Sequence, residues 1–323
     1  MEVFIGIDLG GTYIKAIALQ KDGSLLLEKQ IPTLPERGSG DVIKRMASFV
    51  KEIQETLNQP IKGVGVTVPG VLRREEGIVV MMPNFPPDQW RGVHLRDQLH
   101  QLTGWSVELL NDARAAAYGE KVFGAGRNFS HFICLTIGTG IGGGIVADGR
   151  LLMGSRGVGG EIGHQVVVPN GELCGCGNKG CLETVASGPA IVTSAIRFIK
   201  QGLHTKIREL VESDLNLITP EIVAQAAGMG DQAAIHILEN VAGHICTALN
   251  NMKAVLNPEA VILGGGIANN DLLLRMIEER LEEKEILFPH YLGSMQVKRA
   301  ELTHMAGAYG AAAWVMHTSR EGK

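Results

Sequence analysis

Residues 3–19 read VFIGIDLGGTYIKAIAL, and residues 132–147 read FICLTIGTGIGGGIVA. In both, a buried strand runs into a glycine turn and a second strand follows at once. The same unit occurring twice, so far apart in one chain, points to two similar domains. Working outward from the first copy, Lys21-Asp22-Gly23-Ser24 makes a turn and a third strand covers 25–31. Val42, Ile43, Met46, Phe49, Val50, Ile53 and Leu57 then recur at helical spacing, with Pro60 just beyond them. Strands follow at 64–68 and 107–110, and an alanine-rich helix at 113–123. After the second copy, helices are expected near 187–202, 219–228, 231–255, 271–283 and 304–318, with a strand at 261–263. Strands first, then helices alternating with strands, make a mixed α/β protein.

No Pro/Ser-rich linker separates the halves, so the boundary is placed near Gly124-Ala125-Gly126. This gives a small lobe of residues 1–123 and a larger lobe from residue 124 onward. A two-lobed body is expected to take its ligand in the cleft between lobes.

The 323 residues carry 30 basic and 34 acidic side chains, a net charge of −4. No basic stripe marks a nucleic-acid or anionic-membrane partner. No apolar run reaches the roughly 20 residues a bilayer span needs. The N-terminal residues do not resemble a secretory signal. A cytoplasmic location is expected.

Glycine is abundant, 42 residues, about double the usual ~7%, and much of the excess falls in three turns. Asp8-Leu9-Gly10-Gly11-Thr12 can turn backbone N–H groups and a hydroxyl toward phosphate, with Asp8 placed to orient Mg²⁺ through water. A tight hairpin with no ligand explains the same residues equally well. Thr136-Ile137-Gly138-Thr139-Gly140-Ile141-Gly142-Gly143-Gly144 exceeds what a hairpin needs and reads as a phosphate cradle. It is not a P-loop, because no Gly-Lys-Ser/Thr follows and a strand, not a helix, comes next. A dinucleotide fingerprint fails for the same reason. Gly264-Gly265-Gly266 lies between a strand and a helix and serves either as a platform for base or ribose or as a packing turn.

Asp112 stands where a helix begins. It is either the helix cap or, if it faces the phosphate turns, a base for a sugar hydroxyl. Phosphoryl transfer is mostly positioning and charge neutralisation, so one base, Mg²⁺ and backbone donors suffice. Asn111 and Asn84 are candidate hydroxyl partners, and both are also ordinary loop asparagines.

His164 and then Cys174, Cys176 and Cys181 follow the spacing His-x9-Cys-x-Cys-x4-Cys. One imidazole and three thiolates form a closed tetrahedral set suited to structural Zn²⁺. Glu161 and Glu183 flank the set, and a metal there would hold both carboxylates for a polyhydroxylated ligand.

These residues together resemble ROK, the family of bacterial repressors, uncharacterised open reading frames and sugar kinases. Asp8–Thr12 and Ile137–Gly144 resemble its phosphate motifs, and Leu110-Asn111-Asp112-Ala113 the segment with its catalytic base. Gly160-Glu161-Ile162-Gly163-His164 resembles its sugar-binding segment, and Cys174–Cys181 its zinc motif. The resemblance implies a two-lobed, actin-like ATPase (ribonuclease H-like) fold in which the last helix, about 304–323, returns to the small lobe and leaves 124–303 as the large one. It implies ATP-dependent phosphorylation of a hexose 6-hydroxyl, with glucose the first choice. N-acetylmannosamine and N-acetylglucosamine are alternative acceptors. It implies sugar contacts at Asn84, Asn111, Asp112, Glu161, His164 and Glu183, with Asp112 the base. It implies nucleotide contacts at Asp8, Gly10, Gly11, Thr12, Gly138, Thr139, Gly140, Gly142 and Gly264–Gly266. Mg²⁺ with ATP, structural zinc and a homodimer or larger homo-oligomer complete the expectation. A sugar-sensing regulator is the rival from another class, but repressor members carry a DNA-binding segment before the first glycine turn, and this sequence opens on that turn. A polyphosphate-using kinase is a second rival.

Overall fold

The computed structural model describes residues 2–83, 85–283 and 294–321. The chain begins with β1 (Val3–Leu9), β2 (Tyr13–Gln20), β3 (Leu25–Pro32), α1 (Ser39–Leu57) and β4 (Ile61–Val68). A hairpin of β5 (Val71–Arg73) and β6 (Ile78–Met81) leads through α2 (Pro87–Trp90) and α3 (Leu95–Thr103) to β7 (Val107–Asn111) and α4 (Asp112–Phe123). Next come β8 (Phe132–Ile137), β9 (Ile141–Ala147), β10 (Arg150–Leu151), α5 (Glu183–Ala186) and α6 (Gly188–Lys200). The remainder is α7 (Lys206–Leu210), α8 (Pro220–Gly228), α9 (Gln232–Leu256), β11 (Ala260–Gly264), α10 (Asp271–Glu283), β12 (Gln296–Arg299) and α11 (Ala306–Glu321). No helix among the described residues is long and apolar enough to cross a membrane.

The duplication seen in the sequence is a duplication of sheet topology. One sheet has the order β3-β2-β1-β4-β7 and the other β10-β9-β8-β11-β12. In the first, β1–β2–β3 is an antiparallel meander, and β4 and β7 add in parallel. In the second, β10 runs antiparallel to β9, while β11 and β12 add in parallel to β8. This repeated order is the actin-like arrangement expected above.

The chain divides into two units. The first comprises residues up to Asn128, Gly144–Gly160 and Glu301 onward; the second comprises Phe129–Gly143 and Glu161–Ala300. The segment Gly144–Gly160 groups with the first unit because it packs on α4. A Cβ on Gly144 would meet that of Ala117, and the Arg114 guanidinium, almost wholly buried, donates from Nε to the Gly159 carbonyl at 2.7 Å.

In the first unit the period-two pattern of β1 serves two cores. Val3, Ile5, Ile7 and Leu9 face the buried stripe of α1, while Phe4 faces α11 with Ile17 and Leu19. Helix α1 ends at Asn58, which adopts the left-handed conformation that stops a helix. Helix α11 approaches its neighbours backbone to backbone, as its Ala-Gly-Ala-Tyr-Gly-Ala-Ala-Ala sequence allows. Gly6 and Gly65 are register partners in β1 and β4, and a Cβ on either would overlap the carbonyl of Ala308 or Ala311. On the opposite side, a Cβ on Gly310 would overlap the Ala115 carbonyl of α4.

Glu120, near the end of α4, is 0% exposed. Its carboxylate accepts N–H bonds from Ala125 (2.8 Å), Glu301 (3.2 Å) and Leu302 (2.9 Å). Those amides belong to the two places where the chain leaves and re-enters the first unit.

Several details differ from the sequence reading. The glycine turn expected over 138–144 is only as long as Gly138–Gly140, because Ile141 through Gly144 already pair as strand β9. Glycine is a poor strand former, which hid that strand's start. The β5–β6 hairpin and helices α2 and α3 carried too few periodic positions to be assigned.

Gly65→Ala is expected to destabilise the protein by about 3 kcal/mol through overpacking, measured as a fall in the urea midpoint. Gly40→Ala, where a Cβ meets only open space within α1, should leave the midpoint unchanged or raise it slightly.

Candidate active site and metal centre

Asp112 is the first residue of α4, but it does not cap that helix. The cap is Asn111, whose Oδ1 accepts from the N–H groups of Ala113 (3.1 Å) and Arg114 (3.2 Å). Asparagine in extended backbone just before a helix fills this role well. The Asn111 amide donates to the Gly70 carbonyl at 3.0 Å and to Asp112 Oδ1 at 2.9 Å. Asp112 Oδ1 also accepts from Ala113 N–H at 2.8 Å. Two donors therefore orient one oxygen of a half-buried carboxylate at a helix N-terminus.

In the same unit, Asp8 sits near the end of β1. Its Oδ1 accepts from the Thr67 hydroxyl at 2.6 Å, and Thr67 is its register partner on β4. The turn after β1 is closed by Gly10 N–H to the Tyr13 carbonyl (3.0 Å) and by the Thr33 hydroxyl to the Gly10 carbonyl (2.7 Å). Gly11 and Thr12 lie at its exposed tip; Thr12 is exposed and Gly11 half-buried. Thr67 and Thr33, both 0% exposed, were missed from sequence. The available signal was a lone hydroxyl inside an otherwise apolar run, Val64-Gly65-Val66-Thr67-Val68.

In the second unit, the turn Gly138-Thr139-Gly140 is tied at both ends. Gly138 N–H donates to the Gly140 carbonyl (2.9 Å), and the Gly138 carbonyl accepts from Gly188 N–H (2.8 Å) at the start of α6. Gly142 lies within β9, not in the turn. The turn Gly264–Gly266 comes up against the same place: Gly265 has φ +84°, and a Cβ there would overlap the Ile137 backbone. Two of the predicted nucleotide segments are thus adjacent within one unit.

The sugar-motif residues Glu161 and His164 bracket a single 3₁₀ turn, Ile162–His164. It sits directly on β9, since a Cβ on Gly163 would overlap the Ile141 carbonyl. His164 Nε2 is 4.0 Å from Glu161 Oε2, while Nδ1 is 3.5 Å from Cys174 Sγ. The imidazole therefore presents one edge to a carboxylate and the other to the cysteines. Glu183 opens α5, and Oε2 accepts the Ile141 N–H at 2.9 Å. Asn84 lies outside the described residues.

His164, Cys174, Cys176 and Cys181 offer ligand atoms that all lie within 4.8 Å of one another. Bonds of about 2.0–2.3 Å to a tetrahedral zinc require such close spacing, so the donors fit that ion. Burial pushes the Cys181 thiol up to about 12 and raises that of Cys174, while the Asn178 backbone holds the exposed Cys176 below its ordinary value. Packing soft sulfur donors away from water needs a cation to stabilise their thiolates.

A family model described as the ROK family matches residues 4–318. The glucokinase of Thermotoga maritima is 40% identical over 312 residues, covering 95% of each chain. A solved ROK family glucokinase from Streptomyces griseus, in complex with glucose and AMPPNP, aligns with a TM-score of 0.81 at 32% identity, covering 97% of this chain and 98% of that one. The xylose repressor of Caldicellulosiruptor bescii is 30% identical over 97% of this chain and 77% of the repressor.

Metal analysis of protein purified without chelator is expected to find one divalent ion per chain, zinc by the chemistry of its ligands. Cys181→Ser should lose it. Protein that is folded, active and metal-free would contradict the assignment.

Proposed function

This chain belongs to the ROK family, and we propose that it transfers the γ-phosphoryl group of ATP to the 6-hydroxyl of glucose. The observation that carries the reading is the Asn111–Asp112 pair, in which one asparagine caps α4 and orients the neighbouring carboxylate. Its setting is a chain that resembles glucokinases over nearly its whole length.

In this proposal Asp112 takes the proton of the sugar 6-hydroxyl as that oxygen attacks the γ-phosphorus. The bond from the γ-phosphorus to the β–γ bridging oxygen breaks, ADP leaves, and Asp112 later returns its proton to solvent. A base within hydrogen-bond reach contributes about 10²–10⁴-fold. Asn111 keeps Asp112 aimed; Glu161, His164 and Glu183 hold sugar hydroxyls, as does Asn84.

The turns Gly10–Thr12 and Gly138–Gly140 hold the phosphates, with Gly142 behind the second turn. Gly264–Gly266 takes the ribose or base. Asp8 fits a divalent cation such as Mg²⁺, because it is a hard oxygen donor held in place by Thr67. When bound, that ion neutralises charge on the phosphates. Zinc held by His164, Cys174, Cys176 and Cys181 is structural in this reading, since the four protein ligands leave no position for substrate. The protein is expected to work in the cytoplasm as a homodimer or larger homo-oligomer.

A coupled assay with Mg-ATP should give a higher kcat/KM for glucose than for N-acetylglucosamine or N-acetylmannosamine. Sugar binding without turnover on any hexose would leave a sensor instead of an enzyme. Replacing ATP with polyphosphate should abolish turnover.

Asp112→Asn should keep glucose affinity within a few-fold and cut kcat by at least ~100-fold. Near-normal turnover in that variant would remove Asp112 from the role of base.

A further inference from the structure

Glu183 occupies a position that a sugar contact alone does not explain. It lies two residues after Cys181, which is 0% exposed and one of the four metal-ligand candidates. One carboxylate oxygen, Oε1, is 3.8 Å from Cys174 Sγ, another of those candidates. The other, Oε2, accepts the Ile141 N–H at 2.9 Å where the turn Gly138–Gly140 enters β9. That oxygen also lies 2.5 Å from where a Cβ on Gly140 would stand. Glycine at 140 therefore leaves the space into which the carboxylate fits.

The turn has a second tether, from Gly188 N–H to the Gly138 carbonyl at 2.8 Å. Both tethers come from the segment 183–188 that follows directly on the cysteine cluster. The side chain at one end of that segment and the backbone at the other grip the two ends of the turn.

We infer that Glu183 is a positioning residue for the nucleotide: its carboxylate ties the phosphate turn to the metal cluster, so the cluster orders the phosphate donor's site as well as the sugar's. This rests on the reading of Gly138–Gly140 as a phosphate turn. The electrostatics bear on the test. A carboxylate beside a phosphate site repels the ligand, so charge cannot be what Glu183 contributes to nucleotide binding. Its contribution is an acceptor for one backbone N–H, which keeps the turn's remaining donors in place before the phosphates arrive. An amide oxygen serves equally well for that purpose, and a methyl group does not.

The experiment is calorimetric titration of Mg-AMPPNP, without sugar, into four samples: wild type, Glu183→Ala, Glu183→Gln, and wild type stripped of metal by a chelator. Glu183→Ala and the stripped protein should bind about 5- to 20-fold more weakly, the scale of one lost hydrogen bond. Glu183→Gln should bind within about twofold of wild type, or more tightly, because the acceptor stays and the repulsion goes. Glucose titrated into the same samples separates the two roles of this residue. Loss of glucose affinity in Glu183→Ala with unchanged nucleotide affinity would overturn the inference. So would a stripped protein that binds the nucleotide as wild type does, and this arm decides the matter if Glu183→Ala does not fold. Wild type that binds glucose but no nucleotide would be a distinct failure, that of the kinase reading itself.

Discussion

A single carboxylate removed from water ties the last part of the chain to α4 in the first unit. Glu120 would be costly to bury alone, because a charge loses its hydration in the interior. Three backbone N–H groups replace that hydration, and charge-assisted bonds of this kind are among the stronger ones in proteins. Two of the three come from Glu301 and Leu302, more than 170 positions along the chain. The position of α11 follows. The helix lies on Gly6 and Gly65 of the sheet and against Ala115 of α4. Asp8 and Asp112 belong to β1 and α4, and Gly307 of α11 comes close to the Asp8 carboxylate. The framework that carries Asp8 and Asp112 is therefore completed by the last part of the chain.

The second unit uses a different solution to the same problem. Its segment 161–185 has little regular structure and few apolar positions at a fixed period. Without a packed core of its own, such a segment pays for order with backbone entropy. The His164 and cysteine donors are gathered within reach of one ion, and an ion bound there would supply the missing constraint. The turn Gly138–Gly140 meets the start of α6, and the 3₁₀ turn with Glu161 and His164 sits on Ile141, where that turn enters β9. Order at the metal donors thus bears directly on order among the groups proposed to hold substrates.

Much of the candidate site was legible as residue pattern before any coordinates, and the reason is chemical. Glycine runs, an Asn-Asp pair before an alanine-rich helix, and His-x9-Cys-x-Cys-x4-Cys are residue types with few other uses at such spacing. Local partners were less legible. Asp112 could have been the cap of α4, and only the hydrogen bonds of Asn111 assign that role to its neighbour. Thr67 and Thr33 gave almost no warning, since a buried hydroxyl is marked by the acceptor it meets and not by its neighbours in sequence. The glycines after Gly140 read as more turn, although they form a strand. Low β-propensity was overridden there by pairing within the sheet.

The amino-acid sequence by itself determined the repeated strand–turn–strand plan, the order of the main helices, the grouping of His164 with three cysteines and the family resemblance. Each rests on short-range periodicity or on the identity of residues near one another in the chain. Tertiary structure alone decided that Gly144–Gly160 joins the first unit, that Asn111 caps α4, and that Glu183 reaches the Ile141 N–H. Those facts depend on hydrogen bonds and close backbone contacts between residues far apart in sequence. No local pattern encodes such pairings, because the free energy that selects them appears only when the distant partner arrives.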